Sequence, residues 1–344
     1  MTKKRLNNIF FFLGIAAVVV MLLTFDVSFA ELWQHLCRTG YWLIPIIGIW
    51  LVIYGINALA WQCTIRGCTN DEEHVGFWRI MRLTVTGYAL NYATPVGGLG
   101  GEPYRIMELS KDISKQHAAS SVILYAMMHV FAHFLFWFSS VFLYLILAAM
   151  GDVPLTTVVG STLAVITLFC IAAIYLFSKG YRNGLVVKVI RLIGKIPGLK
   201  GWSGRFQERH AEALRNIDAQ IAALHQQDKR NFYYSLSLEY LSRIVQSLEI
   251  MFMLLLFGID CGGGFNGMLL TFLHSILILA FTTLFANLIG FLPMQIGVQE
   301  GGFVLSIAAL GLSAALGIFV SIISRVRERI WILIGILLMK IDRE

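Results

Sequence analysis

Two segments of the chain share one arrangement of proline, glycine and glutamate. Pro95 precedes Glu102 by seven residues, and Pro293 precedes Glu300 by seven. Glycines accompany both segments, at Gly97, Gly98, Gly100, Gly101, Gly297 and Gly301. Proline ends a helix, and glycine permits close backbone approaches. Because each segment adjoins apolar sequence, the pattern predicts two helices broken inside a membrane, of the kind that forms transporter binding sites.

The residues of these segments suit the binding of an anionic group. Broken helices leave backbone N–H groups that attract anions. Arg105 follows Glu102 by three residues, and a guanidinium matches phosphate with two parallel hydrogen bonds. Glu102 and Glu300 are suited to cap N–H groups, pair with a cation or take up a proton. We predict that both segments bind a head group; the alternative for either segment alone is a tight turn between helices.

Residues 232–257 form an apolar stretch that contains a polar stripe. Its members are spaced by four, three and three residues, which places them on one helix face: Glu239, Arg243, Gln246 and Glu249. A charge near the bilayer centre costs about 2.5–3.5 kcal/mol, so this face must meet protein or water. Two interpretations are open: a polar pathway for a head group, or an ion pair between Glu239 and Arg243 that stabilises the bundle.

His129 and His133 are four residues apart on another apolar stretch, at residues 119–149. This spacing suits metal binding, a proton relay or a hydrogen-bonded pair in the core, and we favour the core pair. The HExxH pattern of zinc proteases is absent from the sequence, and no nucleotide-binding or serine-hydrolase motif stands in a suitable context. We therefore predict no metal, no cofactor and no catalytic residue. Movement of a substrate would then run downhill or use protons or the membrane potential.

The composition is typical of a membrane protein. Of the 344 residues, 58% are hydrophobic and 14% are charged, against about 45–50% and about 25% in soluble domains. These values exclude a disordered chain, a secreted disulfide scaffold and an ordinary soluble enzyme. Five cysteines without a CxxC pair indicate neither a disulfide framework nor a zinc site. The sequence predicts an all-α integral membrane protein of about 7–8 membrane segments, organised as one transmembrane domain over residues 1–344.

The net charge of +7 comes from one segment of the chain. Residues 178–231 hold eleven basic and four acidic residues, and this excess equals the charge of the whole chain. Because cytoplasmic loops carry surplus lysine and arginine, we predict that this segment is a cytoplasmic insertion between the two halves. Lys188, Arg191 and Lys195 share one helix face, which is typical of an amphipathic helix on an anionic leaflet. The charge therefore indicates membrane contact and not nucleic acid.

Apolar runs long enough to cross a bilayer determine the expected topology. They lie at residues 9–25, 41–61, 119–149, 153–177, 232–257 and 303–323. With the N-terminus in the cytoplasm, segment 178–231 is cytoplasmic if residues 83–117 do not cross. If 265–302 enters and leaves from the outer face, 303–323 ends in the cytoplasm together with Arg325. The two hairpins are then inverted repeats, and we favour this arrangement.

The sequences TPVGGLGGEPYR at 94–105 and PMQIGVQE at 293–300 resemble the paired signatures of the flippase-like transmembrane domain of lysylphosphatidylglycerol synthases. The resemblance extends over nearly the whole chain, and it implies a polytopic membrane protein that moves a lipid. Bifunctional members carry a further aminoacyl-transferase domain, and this chain ends at Glu344 without one, so lysyl transfer is not expected. Gln295 departs from the usual Pro-x-Gly start of the second signature, which we expect to loosen that turn.

Together, the residues and the resemblance predict a flippase of the cell inner membrane. Its substrate would be an anionic phospholipid or a polyprenyl-phosphate-linked lipid, bound at Glu102, Arg105 and Glu300. The remaining candidates would line a polar pathway: Glu239, Arg243, Gln246, Glu249, His129, His133 and Arg325. Two alternatives stay open: an enzyme that modifies lipid head groups with Glu102 or Glu300 as general base, and a non-transporting partner that anchors a glycosyltransferase. The expected partners are membrane lipids, and a homo-oligomer is left open.

Overall fold

The computed structural model describes residues 42–69, 74–93, 100–182, 229–259, 262–288 and 298–340, together with the isolated positions 212 and 219. This part of the chain contains nine α-helices and no strand. In chain order they are α1 (Leu43–Cys68), α2 (Phe77–Ala93), α3 (Gly101–Leu109), α4 (Lys115–Ala149), α5 (Thr157–Arg182), α6 (Lys229–Leu256), α7 (Gly264–Leu288), α8 (Val298–Ala309) and α9 (Ala314–Leu338). The predicted all-α class is confirmed.

Four helices are long and apolar enough to cross a membrane by length and composition: α1, α4, α5 and α7. A crossing helix needs about 20 residues; α6 and α9 reach this length with 28 and 25 residues but carry more charge. α5 turns apolar side chains outward, since Val158 is 74% and Leu168 is 69% exposed. Such a surface is stable against lipid and costly against water. The chain is an α-helical membrane protein, and the number of its segments stays a prediction.

Several predicted features lie outside the described residues. They are the first crossing at 9–25, most of the basic insertion, and the turns that hold Pro95, Gly97, Gly98, Pro293 and Gly297. Of the insertion, the structure describes the flanks and two isolated positions: α5 continues to Arg182, and α6 begins at Lys229. The cytoplasmic placement of the insertion stays a prediction.

The predicted crossing at residues 303–323 is wrong. α8 ends at Ala309, a turn follows, and α9 begins at Ala314. Gly311 lies in this turn with a φ of +78°, a conformation that glycine adopts without strain. α9 then continues through the arginine cluster to Leu338, so these arginines lie within a helix and not in a cytoplasmic loop. The expected orientation of the second hairpin rested on that crossing, and it loses this support.

Two sets of four helices follow the same order on either side of α5. In each set, a long first helix and a second helix lead to a short third helix and a long fourth helix. The short helices are α3, with 9 residues, and α8, with 12 residues. Glu102 and Glu300 both lie in the first turn of these short helices. The two broken segments therefore occupy equivalent positions in the order of the fold.

Helices of the first set pack against helices of the second set. α1 lies along α6, α2 packs on α9, and α4 packs on α7. The ring centroids of Trp42 and Phe252 are 6.4 Å apart, and the Trp50 indole N–H donates to Glu249 over 2.8 Å. The start of α1 thus meets the end of α6, so these equivalent helices run antiparallel. This relation is expected for repeats with a two-fold axis in the membrane plane, and it supports the predicted inverted repeat.

Two large apolar clusters fill the interior. One contains Phe136, Tyr144 and Leu277, where α4 meets α7 and the second set of helices. The other contains Trp61 and Tyr125, where α1, α2, α3 and α4 meet. The second cluster surrounds Arg105, the buried arginine of α3. It therefore positions the first broken segment.

Glycine is required where α2 and α3 meet. A Cβ at Gly101 would overlap the backbone of Gly87, and a Cβ at Gly87 would overlap the Arg105 side chain. The two helices therefore approach with nothing between their backbones, and Arg105 passes through the space that a side chain at position 87 would fill. This contact determines the direction in which Arg105 leaves α3.

Gly101→Ala is expected to destabilise the folded protein by about 1–3 kcal/mol, because the added methyl group overlaps backbone atoms. Gly55→Ala on α1 is the matched control: among the described residues, no heavy atom lies within 4 Å of a Cβ built there. The control should be neutral or gain up to about 1 kcal/mol from the helix preference of alanine. Unfolding of the purified protein by SDS titration measures both variants, and equal stabilities would contradict the close contact.

Candidate functional site

The first broken segment is held at the start of α3 by Asn91 of α2. The Asn91 side-chain oxygen accepts a hydrogen bond from the Gly101 N–H at 2.5 Å, and its amide donates to Glu102 Oε1 at 3.1 Å. Gly100 precedes the helix, and Glu102 lies in its first turn, where the helix dipole favours a carboxylate. Glu102 is thus oriented by an asparagine and a helix end, with 19% of its side chain exposed.

Arg105 is enclosed by three aromatic rings. Its guanidinium carbon lies 4.8 Å from the ring centroid of Tyr88, 5.4 Å from that of Trp61 and 5.6 Å from that of Tyr125. Cation–π contacts contribute from about 0.5 kcal/mol at exposed sites to about 2 kcal/mol when water is excluded. Arg105 is 2% exposed, so these contacts belong to the stronger class. We call these three side chains the aromatic box.

The polar atoms of Arg105 also face the protein. Nη2 donates to the Thr84 carbonyl at 3.2 Å, and Nε donates to the Leu83 carbonyl at 3.4 Å. Nη1 lies 3.6 Å from Glu102 Oε1. In this conformation, therefore, the guanidinium binds acceptors of the protein itself. The contact between Arg105 and a phosphate stays a prediction, and it requires these acceptors to be exchanged.

His129 and the polar stripe of α6 form one cluster, although 110 positions separate His129 from Glu239. His129 Nδ1 lies 2.7 Å from Glu239 Oε2, and Arg243 Nη2 lies 2.7 Å from His129 Nε2. Arg243 Nη1 donates to Gln246 Oε1 at 3.0 Å. Glu239 is fully buried, whereas 24% of the His129 side chain is exposed. The ion pair considered from the sequence thus has a third member, because the imidazole contacts both charged groups.

Tyrosine hydroxyls connect this cluster to the aromatic box. The Tyr88 hydroxyl lies 3.3 Å from His129 Nδ1 and 3.1 Å from the Tyr125 hydroxyl, and Asn57 Nδ2 donates to it at 3.4 Å. Tyr88 therefore contacts Arg105 with its ring and His129 with its hydroxyl. The first broken segment and the start of the stripe belong to one site. We call it the central site, with these members: Tyr88, Glu102, Arg105, Tyr125, His129, Glu239 and Arg243.

His133 lies beside the central site and contacts it through its ring. The ring is edge-on to that of His129, with centroids 5.2 Å apart, and it stacks on Trp137 at 5.3 Å. His129 directs Nδ1 to the Glu239 carboxylate, and the role of the histidine pair stays a prediction. The described residues hold no group of three side chains suited to a metal ion.

Glu249, at the other end of the stripe, belongs to a second cluster. Its carboxylate accepts hydrogen bonds from Arg327 Nε at 2.8 Å, from Arg327 Nη2 at 3.3 Å and from the Trp50 indole at 2.8 Å. The Arg327 guanidinium also lies 3.9 Å from the Trp50 ring centroid. Both charged groups are buried. Ten residues of helix separate Glu249 from Glu239, a rise of about 15 Å, so the stripe supplies two separate clusters.

The second broken segment pairs differently from the first. Glu300 of α8 accepts two hydrogen bonds from Arg325 of α9, at 3.0 Å from Nε and at 3.3 Å from Nη2. Asn287, the counterpart of Asn91, donates instead to the Thr283 carbonyl at 2.7 Å. Glu300 keeps 32% of its side chain exposed, and Arg325 is buried. The structure thus joins two residues that the sequence placed in separate roles.

The residues that orient these charges were not among the predicted site residues. They are Trp50, Asn57, Trp61, Tyr88, Asn91, Tyr125 and Arg327. Aromatic residues on apolar helices are usually core residues, so their types gave no signal. The spacing of the two tryptophans was a usable signal. Trp50 and Trp61 lie eleven residues apart, which is about three turns, so both face one side of α1. Of the predicted glycines, Gly301 has room, since a Cβ there would lie 3.8 Å from Phe285.

Glu249→Gln is expected to destabilise the protein by about 3–5 kcal/mol, because it leaves the buried Arg327 without its charged partner. The double variant with Arg327→Met should cost less than the sum of the two single variants, since no lone charge is left. Asp112→Asn is the control: its carboxylate lies 3.0 Å from Arg79 in a more exposed pair, and such pairs contribute about 1 kcal/mol or less. SDS titration measures each variant, and additive costs at 249 and 327 would contradict the coupling.

The chain matches the model of a known protein family. The model of the family described as the lysylphosphatidylglycerol synthase TM region matches residues 10–335. This range includes both broken segments, the central site, the Glu249 cluster and the basic insertion. No curated protein and no solved structure matches the chain. Since the match covers nearly the whole sequence, the chain belongs to the lysylphosphatidylglycerol synthase TM region family.

Proposed function

We propose that this protein moves an anionic phospholipid or a polyprenyl-phosphate-linked lipid between the leaflets of the cell inner membrane. One observation carries the proposal. Ionisable side chains from both helix sets form the connected central site inside an apolar body. Each charge inside a membrane costs about 2.5–3.5 kcal/mol, so a chain that holds several of them in one place uses them for a function.

Partial exposure indicates where a head group would meet the protein. Glu102, His129 and Glu300 are partly exposed, at 19%, 24% and 32% of their side chains. The arginines behind them supply positive charge for a phosphate. The acyl chains would stay in lipid, against apolar outer faces such as that of α5. In this way the polar head group avoids the hydrocarbon, which is the main barrier to lipid exchange between leaflets.

The membership of the family supports a role in lipid movement or lipid modification. The finer assignment combines the central site with the distribution of charge. The N-terminus and the basic insertion at 178–231 are assigned to the cytoplasm, because surplus lysine and arginine stay on that side. The insertion would then contact the anionic leaflet from which lipids enter.

An enzyme that modifies lipid head groups is the second candidate, and one contact favours it. The Glu239 carboxylate orients the His129 imidazole at 2.7 Å, which is the arrangement of a general base with its orienting acid. The two candidates differ in their product. An enzyme releases a modified lipid, whereas a flippase delivers the same lipid to the other leaflet.

Reconstitution of the purified full chain into vesicles separates these functions. The vesicles contain phosphatidylcholine with a trace of NBD-labelled phosphatidylglycerol or NBD-labelled polyprenyl phosphate, and external dithionite reports the outer-leaflet fraction. The wild type is expected to expose the inner-leaflet probe faster than protein-free vesicles do. Glu102→Gln should lower this rate by about tenfold, because the site loses the carboxylate that holds Asn91 and Arg105 in place, a change of about 1.4 kcal/mol.

Glu108→Gln is the matched control on the same helix. Glu108 is buried, lies at the opposite end of α3 and pairs with Arg79 and Lys111. This variant should keep the wild-type rate. Equal losses at 102 and 108 would contradict a head-group role for Glu102, and a wild type that moves neither lipid would overturn the flippase proposal. A new lipid product in mass spectrometry would establish the enzyme.

A further inference from the structure

His129 joins the parts of the central site that come from different helices. The titratable and charged groups that face it are Tyr88 of α2, Arg105 of α3, Tyr125 and His133 of α4, and Glu239 and Arg243 of α6. The imidazole is partly exposed, while Glu239 behind it is fully buried. A proton from outside the bundle therefore reaches the imidazole before it reaches the carboxylate.

The contacts of His129 locate its ring proton. An ionised carboxylate only accepts hydrogen bonds, so the 2.7 Å contact with Glu239 places a hydrogen on Nδ1. Arg243 Nη2 lies 2.7 Å from Nε2 and 2.9 Å from Nδ1, so a positive charge stands next to both ring nitrogens and favours an uncharged ring. The imidazole is neutral in this arrangement, and a second proton on Nε2 would bind beside the Arg243 guanidinium.

A second proton on His129 changes the position of Arg243. Protonation at Nε2 places a positive charge on the ring that the Arg243 guanidinium contacts. Arg243 Nη2 lies 2.7 Å from Nε2 and 2.9 Å from Nδ1. Two positive charges would then stand about 3 Å apart, and the single Glu239 carboxylate compensates for one of them. Arg243 must move away, or an anion must come between the two groups.

The charges of the central site balance when His129 is neutral. Glu102 pairs with Arg105, and Glu239 pairs with Arg243. A bound proton alone adds an unpaired positive charge, and a bound lipid with one negative charge alone adds an unpaired negative charge. Each unpaired buried charge is costly, whereas the proton and the lipid together leave none. Each of the two therefore favours the binding of the other.

We propose that His129 binds one proton for each monoanionic lipid head group that enters the central site, and that the two cross the membrane together. This inference rests on the proposed function and adds its energy source and the charge of its substrate. The proton comes from the solution on one side and is held on Nε2 while the lipid phosphate contacts the released Arg243. It leaves to the solution on the other side. The N–H bond on Nε2 forms on one side and breaks on the other, the lipid is chemically unchanged, and the net charge moved is zero.

A pH gradient across the reconstituted vesicles tests this coupling. The probe is the NBD-labelled lipid that the wild type moves: phosphatidylglycerol, or polyprenyl phosphate at a pH low enough for its phosphate to carry one negative charge. Valinomycin with equal potassium holds the membrane potential at zero. A gradient of about one pH unit should drive the probe to about a tenfold difference between leaflets at one proton per lipid. Pyranine inside the vesicles reports the protons that enter with the lipid.

His129→Gln keeps a hydrogen-bonding group beside Glu239 and removes the proton site. Under the same gradient this variant should distribute the probe equally between leaflets and give no pyranine signal above protein-free vesicles. His274→Gln is the matched control, because His274 is a buried histidine of α7 outside the central site. It should keep the tenfold difference. If His129→Gln does not fold, the wild-type measurement still tests the coupling, because one proton must enter the vesicles with each lipid.

Three outcomes would overturn the coupling and leave the proposed function intact. They are wild-type lipid movement without proton entry, a tenfold difference that persists in His129→Gln, and a lipid difference driven by membrane potential at equal pH. A wild type that moves neither lipid, with or without the gradient, would overturn the proposed function and the coupling with it.

Discussion

The rest of the structure depends on the pairing of buried charges in a helical body that lipid surrounds. Lipid offers no partner to a carboxylate or a guanidinium, so each of these groups must be matched by protein. Glu239 lies against His129 and Arg243, and Glu249 lies against Arg327 and Trp50. The contacts of Glu239 with His129 and of Glu249 with Trp50 join helices of different repeats, so they influence which helices meet. Apolar side chains of similar volume would often hold a bundle as well, which makes the charges evidence of function rather than of stability.

Helix α1 carries two tryptophans, and each of them lies against a buried arginine of another helix. On α1, Trp61 lies beside Arg105 of the first helix set, and Trp50 lies beside Arg327 of the second set. Because the two tryptophans are about three turns apart, they project from the same side of α1. The antiparallel partner α6 presents Glu239 and Glu249 about 15 Å apart along its axis. The pair α1 and α6 therefore forms the axis along which the two charged clusters are arranged.

The two repeats carry the same glutamate in different surroundings. Glu102 is oriented by Asn91 and lies near Arg105 of its own helix, whereas Glu300 is held by Arg325 from the last helix. A two-fold relation between backbones does not require equal side chains. Among the described residues, Glu102 of the first repeat lies in the site that also holds a histidine and the aromatic box, and α6 of the second repeat completes this site with Glu239 and Arg243.

Local properties of the sequence were sufficient for the membrane class, the helical content and the burial of the charged residues of the α6 stripe. Hydrophobic runs and helical spacing report these features directly. The crossing at 303–323 was mispredicted, because an apolar run does not show that a glycine turn divides it. The pairing partners were decided by tertiary structure alone. Glu239 and His129 are 110 positions apart, and Glu249 and Arg327 are 78 apart. A hydrogen bond forms at about 3 Å, and helix packing, not spacing along the chain, brings these atoms to that distance.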